Sequence, residues 1–93
     1  MYSLTVAQDV LHELADPQRY TAKIARQLLL KILALTVDPR PQDCKAIDAG
    51  YRVDSGEFRI YYEVVDASRL ITVLLVGKRG DDEIYRRLKR RFK

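Results

Sequence analysis

The chain has 93 residues, with 17 Lys and Arg against 13 Asp and Glu, one His, one Cys and a formal charge of +4. That length makes one domain, residues 1–93, with one core and little surplus stability. The longest apolar run, Leu70 to Gly77, is far too short to cross a bilayer. The start lacks a secretory signal pattern, and a lone Cys44 cannot form an internal disulfide, so a reducing cytoplasm is the expected compartment.

Tyr2 to Val6 alternates and predicts a short first strand, with Tyr2, Leu4 and Val6 facing one way. From Ala7 the spacing turns helical, with Val6, Val10 and Leu14 four apart. Asp16-Pro17 is expected to end that helix and to start a second, running to Thr36, because Asp caps orphan amides and Pro suits the first helical position. Its stripe is Ile24, Leu28, Ile32 and Leu35, widened by Ala25, Leu29 and Leu33, with Lys23, Arg26, Gln27 and Lys31 opposite.

Asp38-Pro39-Arg40-Pro41 stops this helical hairpin. A strand is expected over residues 49–54, a tight turn at Ser55-Gly56, and a strand over residues 58–65. In the latter Phe58, Ile60, Tyr62 and Val64 share one face, and Arg59, Tyr61 and Glu63 the other. Leu70–Val76 is apolar on both faces and reads as central. Asp81 and Asp82 would cap a last helix carrying Ile84, Leu88 and Phe92. The order β-α-α-β-β-β-α gives an α+β fold, a helical hairpin on one face of a mainly antiparallel four-stranded sheet, with a basic helix at the end.

Charge is uneven. Residues 1–50 hold six cations and six carboxylates; residues 51–93 hold eleven and seven, so the whole excess lies in the second half. Arg86, Arg87, Lys89, Arg90, Arg91 and Lys93 fill the last eight positions without a carboxylate. Helix-dipole complementation accounts for two or three such cations better than for six, so a polyanionic partner is the simpler reading. Arginine and tyrosine on one small sheet, with no glycine-rich phosphate loop, point to phosphate and bases, hence to RNA.

The run GYRVDSGEFRIYYEVVD followed by ITVLLVGKRGDDEIYRRL resembles the RelE/ParE toxin superfamily, most closely RelE-like messenger-RNA interferases. The resemblance rests on a Tyr-Arg strand, a Gly turn, an aromatic-Arg pair opening the next strand, Val-Gly-Lys-Arg, and a terminal Tyr. It implies a cytoplasmic toxin of a type II toxin–antitoxin system, neutralised by a cognate antitoxin in a hetero-oligomer that represses its own operon. RelE-like members cut messenger RNA in the ribosomal decoding site without metal or other cofactor. ParE-like members share the fold and poison DNA gyrase, and a non-catalytic basic RNA-binding module is a third reading.

Metal-free RNA cleavage needs a base for the 2′-hydroxyl, cations for the phosphorane and an acid for the 5′-oxygen. By resemblance Arg59 holds the phosphate, Arg79 stabilises charge or donates to the leaving oxygen, Tyr85 orients the base, and Arg52 occupies a basic strand position. Lys45 and Lys78 are candidate backbone contacts, as are Arg86, Arg87, Lys89 and Arg90. Asp54 stands where RelE enzymes often carry a second basic residue. Facing the site it is a candidate carboxylate base that also repels phosphate; facing away it leaves that task to Arg52, Lys45 or a ribosomal group. Each assignment has a plainer rival: Arg59 paired with Glu57 or Glu63, Arg79 with Asp81 or Asp82, Tyr85 in the core beside Ile84, and Tyr61 and Tyr62 as packing residues. His12, beside Asp9 and Glu13, is expected on the solvated surface.

Overall fold

The computed structural model describes residues 1–80 and 82–91, and its chain order follows the pattern of the side chains. Strand β1 (Ser3–Val6) leads into helix α1 (Gln8–Ala15) and helix α2 (Ala22–Ala34). Strands β2 (Lys45–Ile47), β3 (Gly50–Ser55), β4 (Phe58–Val65) and β5 (Leu70–Lys78) follow, and helix α3 (Glu83–Arg91) ends the described chain. The sheet order is β1-β5-β4-β3-β2; only β1 and β5 run parallel.

The α+β arrangement matches expectation, with two corrections. The sheet has five strands, because Lys45-Ala46-Ile47 pairs with Arg52-Tyr51-Gly50. Three residues, followed at once by Asp48 with φ 51°, are too few to show alternation in sequence. The second helix begins after Thr21, whose Oγ1 accepts from the Ile24 amide at 3.2 Å, and not at Pro17. Asp16 instead caps a separate turn, accepting from the Gln18 amide at 2.9 Å. That turn rotates Tyr20 inward, where its ring meets Phe58 edge-on at 5.2 Å. The expected cap Asp81, the last stripe position Phe92 and the terminal Lys93 lie outside the described residues.

Two cores sandwich the sheet. On one side Val10, Leu14, Leu28, Ile32 and Leu35 of the helical hairpin bury Val53, Ile60, Tyr62, Ile71, Val73 and Val76. On the other, Ile84 and Leu88 of α3 bury Tyr61 and Leu75. A bulge divides β5 between them. Tyr62 pairs with Val73 but Tyr61 with Leu75, so Leu74 is an extra residue. Because side chains alternate, one inserted residue reverses which face every later residue takes. Ile71 and Val73 face the hairpin, whereas Leu75 and Gly77 face α3.

Close docking of α3 depends on Gly77. A Cβ there would lie 2.9 Å from Glu83 Cβ and 3.1 Å from Ile84 Cγ2. β1 pairs with β5 only as far as Val73, leaving the rest of that edge open. α3 closes it with side chains: Arg87 donates to the Val76 carbonyl at 2.9 Å, and Glu83 accepts from the Lys78 amide at 3.2 Å. At the far end Arg40 ties the loop after α2 to the sheet, donating twice to Asp66 and once to the Tyr51 hydroxyl.

Candidate functional site

Cross-strand pairing builds the site. In an antiparallel ladder, residues directly opposite share a face, and the pairs Lys45–Arg52, Arg52–Tyr61, Asp54–Arg59 and Arg59–Gly77 all lie on the α3 side. The β3–β4 connection is the two-residue loop Gly56-Glu57, with Gly56 at φ 59°, a conformation open to glycine at no steric cost. The turn after β5 docks on this tip. The Arg79 amide donates to the Glu57 carbonyl at 2.9 Å and its guanidinium to the Gly56 carbonyl at 3.2 Å.

Three arginines consequently meet at one carboxylate. Asp54 accepts from Arg59 Nε at 3.0 Å, and its oxygens lie 3.5 Å from Arg52 and 3.7 Å from Arg79. Exposure differs across the set and separates their roles. The side chains of Arg52 and Arg59 are 12% and 15% exposed, Asp54 31% and Arg79 51%. The first two form the floor and Arg79 the accessible rim. Arg52 Nε is buried without a hydrogen-bond partner among the described residues, an arginine with donors to spare. The Arg59 guanidinium also lies 5.7 Å from the centre of the exposed Tyr85 ring and 3.7 Å from Asp82.

Arg52, Arg59, Arg79, Tyr85 and Asp54 are thus brought together, and Asp54 faces the arginines. The partners of Arg59 are Asp54 and Asp82, not Glu57 or Glu63, and Arg79 meets Asp54. Tyr85 stays out of the apolar cluster of Ile84 and Leu88. Lys45 shares this face on the outermost strand. Lys78 does not: it pairs with Phe58, whose ring belongs to the opposite core. Arg86, Lys89 and Arg90 are exposed on α3. Arg87 is committed elsewhere, held by Glu13 at 2.9 Å and by the Val76 carbonyl. Tyr61 and Tyr62 are fully buried packing residues, and His12 is exposed. Burial and the bond from its hydroxyl to Glu63 push the Tyr61 phenol above its usual range.

Two members were not foreseen as such. Asp82, expected as a helix cap, reaches Arg59. Glu83 joins Arg19, Glu13 and Arg87 in a chain of alternating charges that holds α3 against α1. The i,i+4 spacing marks only the Glu83–Arg87 pair; the contacts that join the two helices, Arg19 with Glu83 and Arg87 with Glu13, lie more than 60 residues apart. Burial works against the ionised Glu83, but the bond from Arg19, the Lys78 amide and the charge of Arg87 outweigh it and hold its carboxyl low. Among the described residues no group of three or more His, Cys, Asp or Glu could hold a metal ion, and no helix is long and apolar enough to cross a membrane.

The family model for the ParE toxin of the parDE type II toxin–antitoxin system matches residues 4–83. The chain belongs to the ParE toxin family of type II toxin–antitoxin systems, within the RelE/ParE superfamily. No curated protein matches this family member in sequence. Solved structures similar to it are RelE toxins. The toxin in the intact E. coli RelBE toxin–antitoxin complex shares 24% identity at a TM-score of 0.68, over 84% of this chain and 96% of that one. The archaeal RelE–RelB complex from Pyrococcus horikoshii gives 22%, 0.70, 85% and 96%. The isolated E. coli RelE toxin gives 23%, 0.67, 95% and 99%. At these identities the likeness establishes the RelE fold for this ParE-family toxin.

Proposed function

We propose that this toxin is a metal-free endoribonuclease that cuts messenger RNA in the ribosomal A site and so arrests translation in the cytoplasm. One observation carries the reading: Arg59 and Arg79, from different parts of the chain, both lie within 4 Å of a single carboxylate. Groups that converge on two carboxylate oxygens also converge on two phosphate oxygens. Beside them is a hollow of about 300 Å³ lined by Gly56, Glu57, Arg79 and Gly80.

In the reaction the RNA 2′-oxygen attacks the adjacent phosphorus and the 5′-oxygen leaves. Charge on the non-bridging oxygens rises in the phosphorane, and donors fixed in advance stabilise it there. Arg59 is the fixed donor and Arg79 the accessible one, while Tyr85 offers an aromatic face to a neighbouring base. Guanidinium groups keep their protons at ordinary pH, so the arginines supply charge and no base. A site strong in charge stabilisation and poor in proton acceptors fits a reaction completed on a ribosome that contributes the missing group.

An antitoxin partner fits the helical hairpin. Leu29, Leu30, Leu33 and Val37 remain exposed along and just beyond α2, an apolar stripe wider than the core uses. The RelE structures from E. coli and Pyrococcus horikoshii include complexes with RelB. A neutralising segment covering this stripe, in a hetero-oligomer that represses its own operon, completes the reading.

A gyrase-directed activity is the second reading. It is favoured by the matching ParE model and by Asp54 filling the arginine cluster. Primer-extension mapping of a translated message after brief induction, run beside a plasmid supercoiling assay, separates the two. In-frame, translation-dependent cuts with unchanged supercoiling are expected; altered supercoiling on uncut message overturns the ribonuclease reading.

A further inference from the structure

Asp54 presents a problem that phosphate binding alone does not solve. It sits among Arg52, Arg59 and Arg79, at the place where an incoming phosphate has most to gain. Its Oδ1 is shared by Arg59 Nε at 3.0 Å and Arg52 at 3.5 Å, and its Oδ2 faces Arg79 Nε at 3.7 Å. A carboxylate whose oxygens are engaged by guanidinium groups is poorly placed to take a proton from a hydroxyl. It resembles the ligand more than it resembles a base: two oxygens on one atom, one negative charge, and the donors that a phosphodiester would use.

We propose that Asp54 is an internal stand-in for the substrate phosphate, positioning Arg59 and Arg79 in the free toxin and competing with the phosphodiester for them. The proposal rests on the reading of this cluster as a phosphate seat. Three guanidinium groups left alone would repel one another and splay, and Asp54 removes much of that cost. The same carboxylate lowers affinity for a monoanionic phosphodiester, while the net positive charge that remains suits the dianionic phosphorane better than the singly charged ground state. Interactions stronger in the transition state than in the ground state raise the rate. Free RNA is thereby held weakly, and cleavage favours RNA that another body holds in place. The half-exposed Arg79 gives a phosphate a point of entry while Asp54 still holds Arg59.

The test is a titration of full-length toxin with a short RNA whose scissile 2′-oxygen is methylated, followed by NMR of the arginine Nε–H groups. Wild type is compared with Asp54→Asn and with Asp43→Asn. Asp43 is an exposed carboxylate paired with Lys31 of α2, outside the arginine cluster, so the second variant makes the same charge change without vacating the seat. D54N is expected to bind about tenfold tighter or better, the scale of one partly exposed charge contact, and D43N within about twofold of wild type. On translating ribosomes D54N should lower KM more than it changes kcat. Equal gains in D54N and D43N would reduce the effect to net charge and overturn the proposal. So would unchanged RNA affinity with a kcat loss near a hundredfold, which is the signature of a general base. Binding by no variant would overturn both the stand-in and the phosphate seat beneath it. Asp54→Ala serves if the amide variant does not fold.

Discussion

The Arg87 guanidinium donates to the Val76 carbonyl across 2.9 Å, on the stretch of β5 that β1 leaves without a partner. An uncovered strand edge invites pairing with other chains, and here a helix side chain closes it while also holding Glu13. The most basic segment of the chain therefore divides its labour, Arg87 serving the fold and its exposed neighbours facing solvent.

That division predicts different salt responses. Lys89→Gln and Arg90→Gln should each reduce the log–log salt slope of RNA binding by about 0.7, the value for one released phosphate contact on a single strand. Arg87→Gln should leave the slope unchanged and lower the melting temperature, since it removes the nearer of Glu13's two arginines and the donor to the Val76 carbonyl. Fluorescence anisotropy at several salt concentrations and a thermal melt separate these results.

Arg79→Ala and Arg59→Ala should both relieve growth arrest, with cleavage falling roughly 10²–10³-fold, as for loss of a fixed charge donor. Their stabilities should part. Arg79 is half exposed, so its loss should cost less than about 0.5 kcal/mol. Arg59 is mostly buried and makes the shortest contact to Asp54, so its removal takes away that carboxylate's nearest donor and should cost about 1–3 kcal/mol. Toxicity unchanged in both folded variants would remove the catalytic assignment.

Gly77→Ala tests how closely α3 docks. The added methyl meets Glu83 and Ile84 at about 3 Å, and relieving that overlap should cost about 1–3 kcal/mol. Hydrogen exchange should quicken in α3 before it quickens in β3 or β4. Uniform change across the sheet would mean that α3 and the sheet open as one unit.

Acid should loosen α3. The Glu83 carboxyl is held below its ordinary value of 4.5 in the folded chain, against the pull of burial, chiefly by Arg19 and the Lys78 amide. An acid with a depressed folded pKa contributes its full stabilisation above the unfolded value and loses it as pH falls through the folded one. The wild-type melting temperature should thus fall more steeply below pH 4.5 than that of Glu83→Gln. Parallel curves for the two would show that other carboxylates carry the acid response.

The order of elements was readable because it depends on local signals. The helical stripe of α2, the alternation of β4 and the glycine turn at Gly56 are each written within a dozen residues. Arg52, Arg59 and Arg79 could be named in advance, but not their meeting at Asp54, which requires strand register and the docking of one turn on another. The α2 start was misplaced because Pro17 and Thr21 both signal a beginning, and the inward turn of Tyr20 decides between them. Lys78 and Arg87 looked like equals of their neighbours. Which face a strand residue takes, and whether an arginine has a carbonyl to close, are tertiary facts.

The single supernumerary residue at Leu74 sets which way the end of β5 faces. Drawn straight with Leu74 in line, the strand would turn Gly77 toward the helical hairpin and Val76 toward α3. Removing Leu74 would tidy the ladder and leave Val76 and Gly77 on the faces they have, whereas a further residue inserted in line before them would exchange the two. Lost activity from such an insertion would reflect inverted parity and no missing chemical group. Gains of residues among relatives should accordingly gather in the loop at residues 38–44 or beyond α3, and spare the middle of this strand.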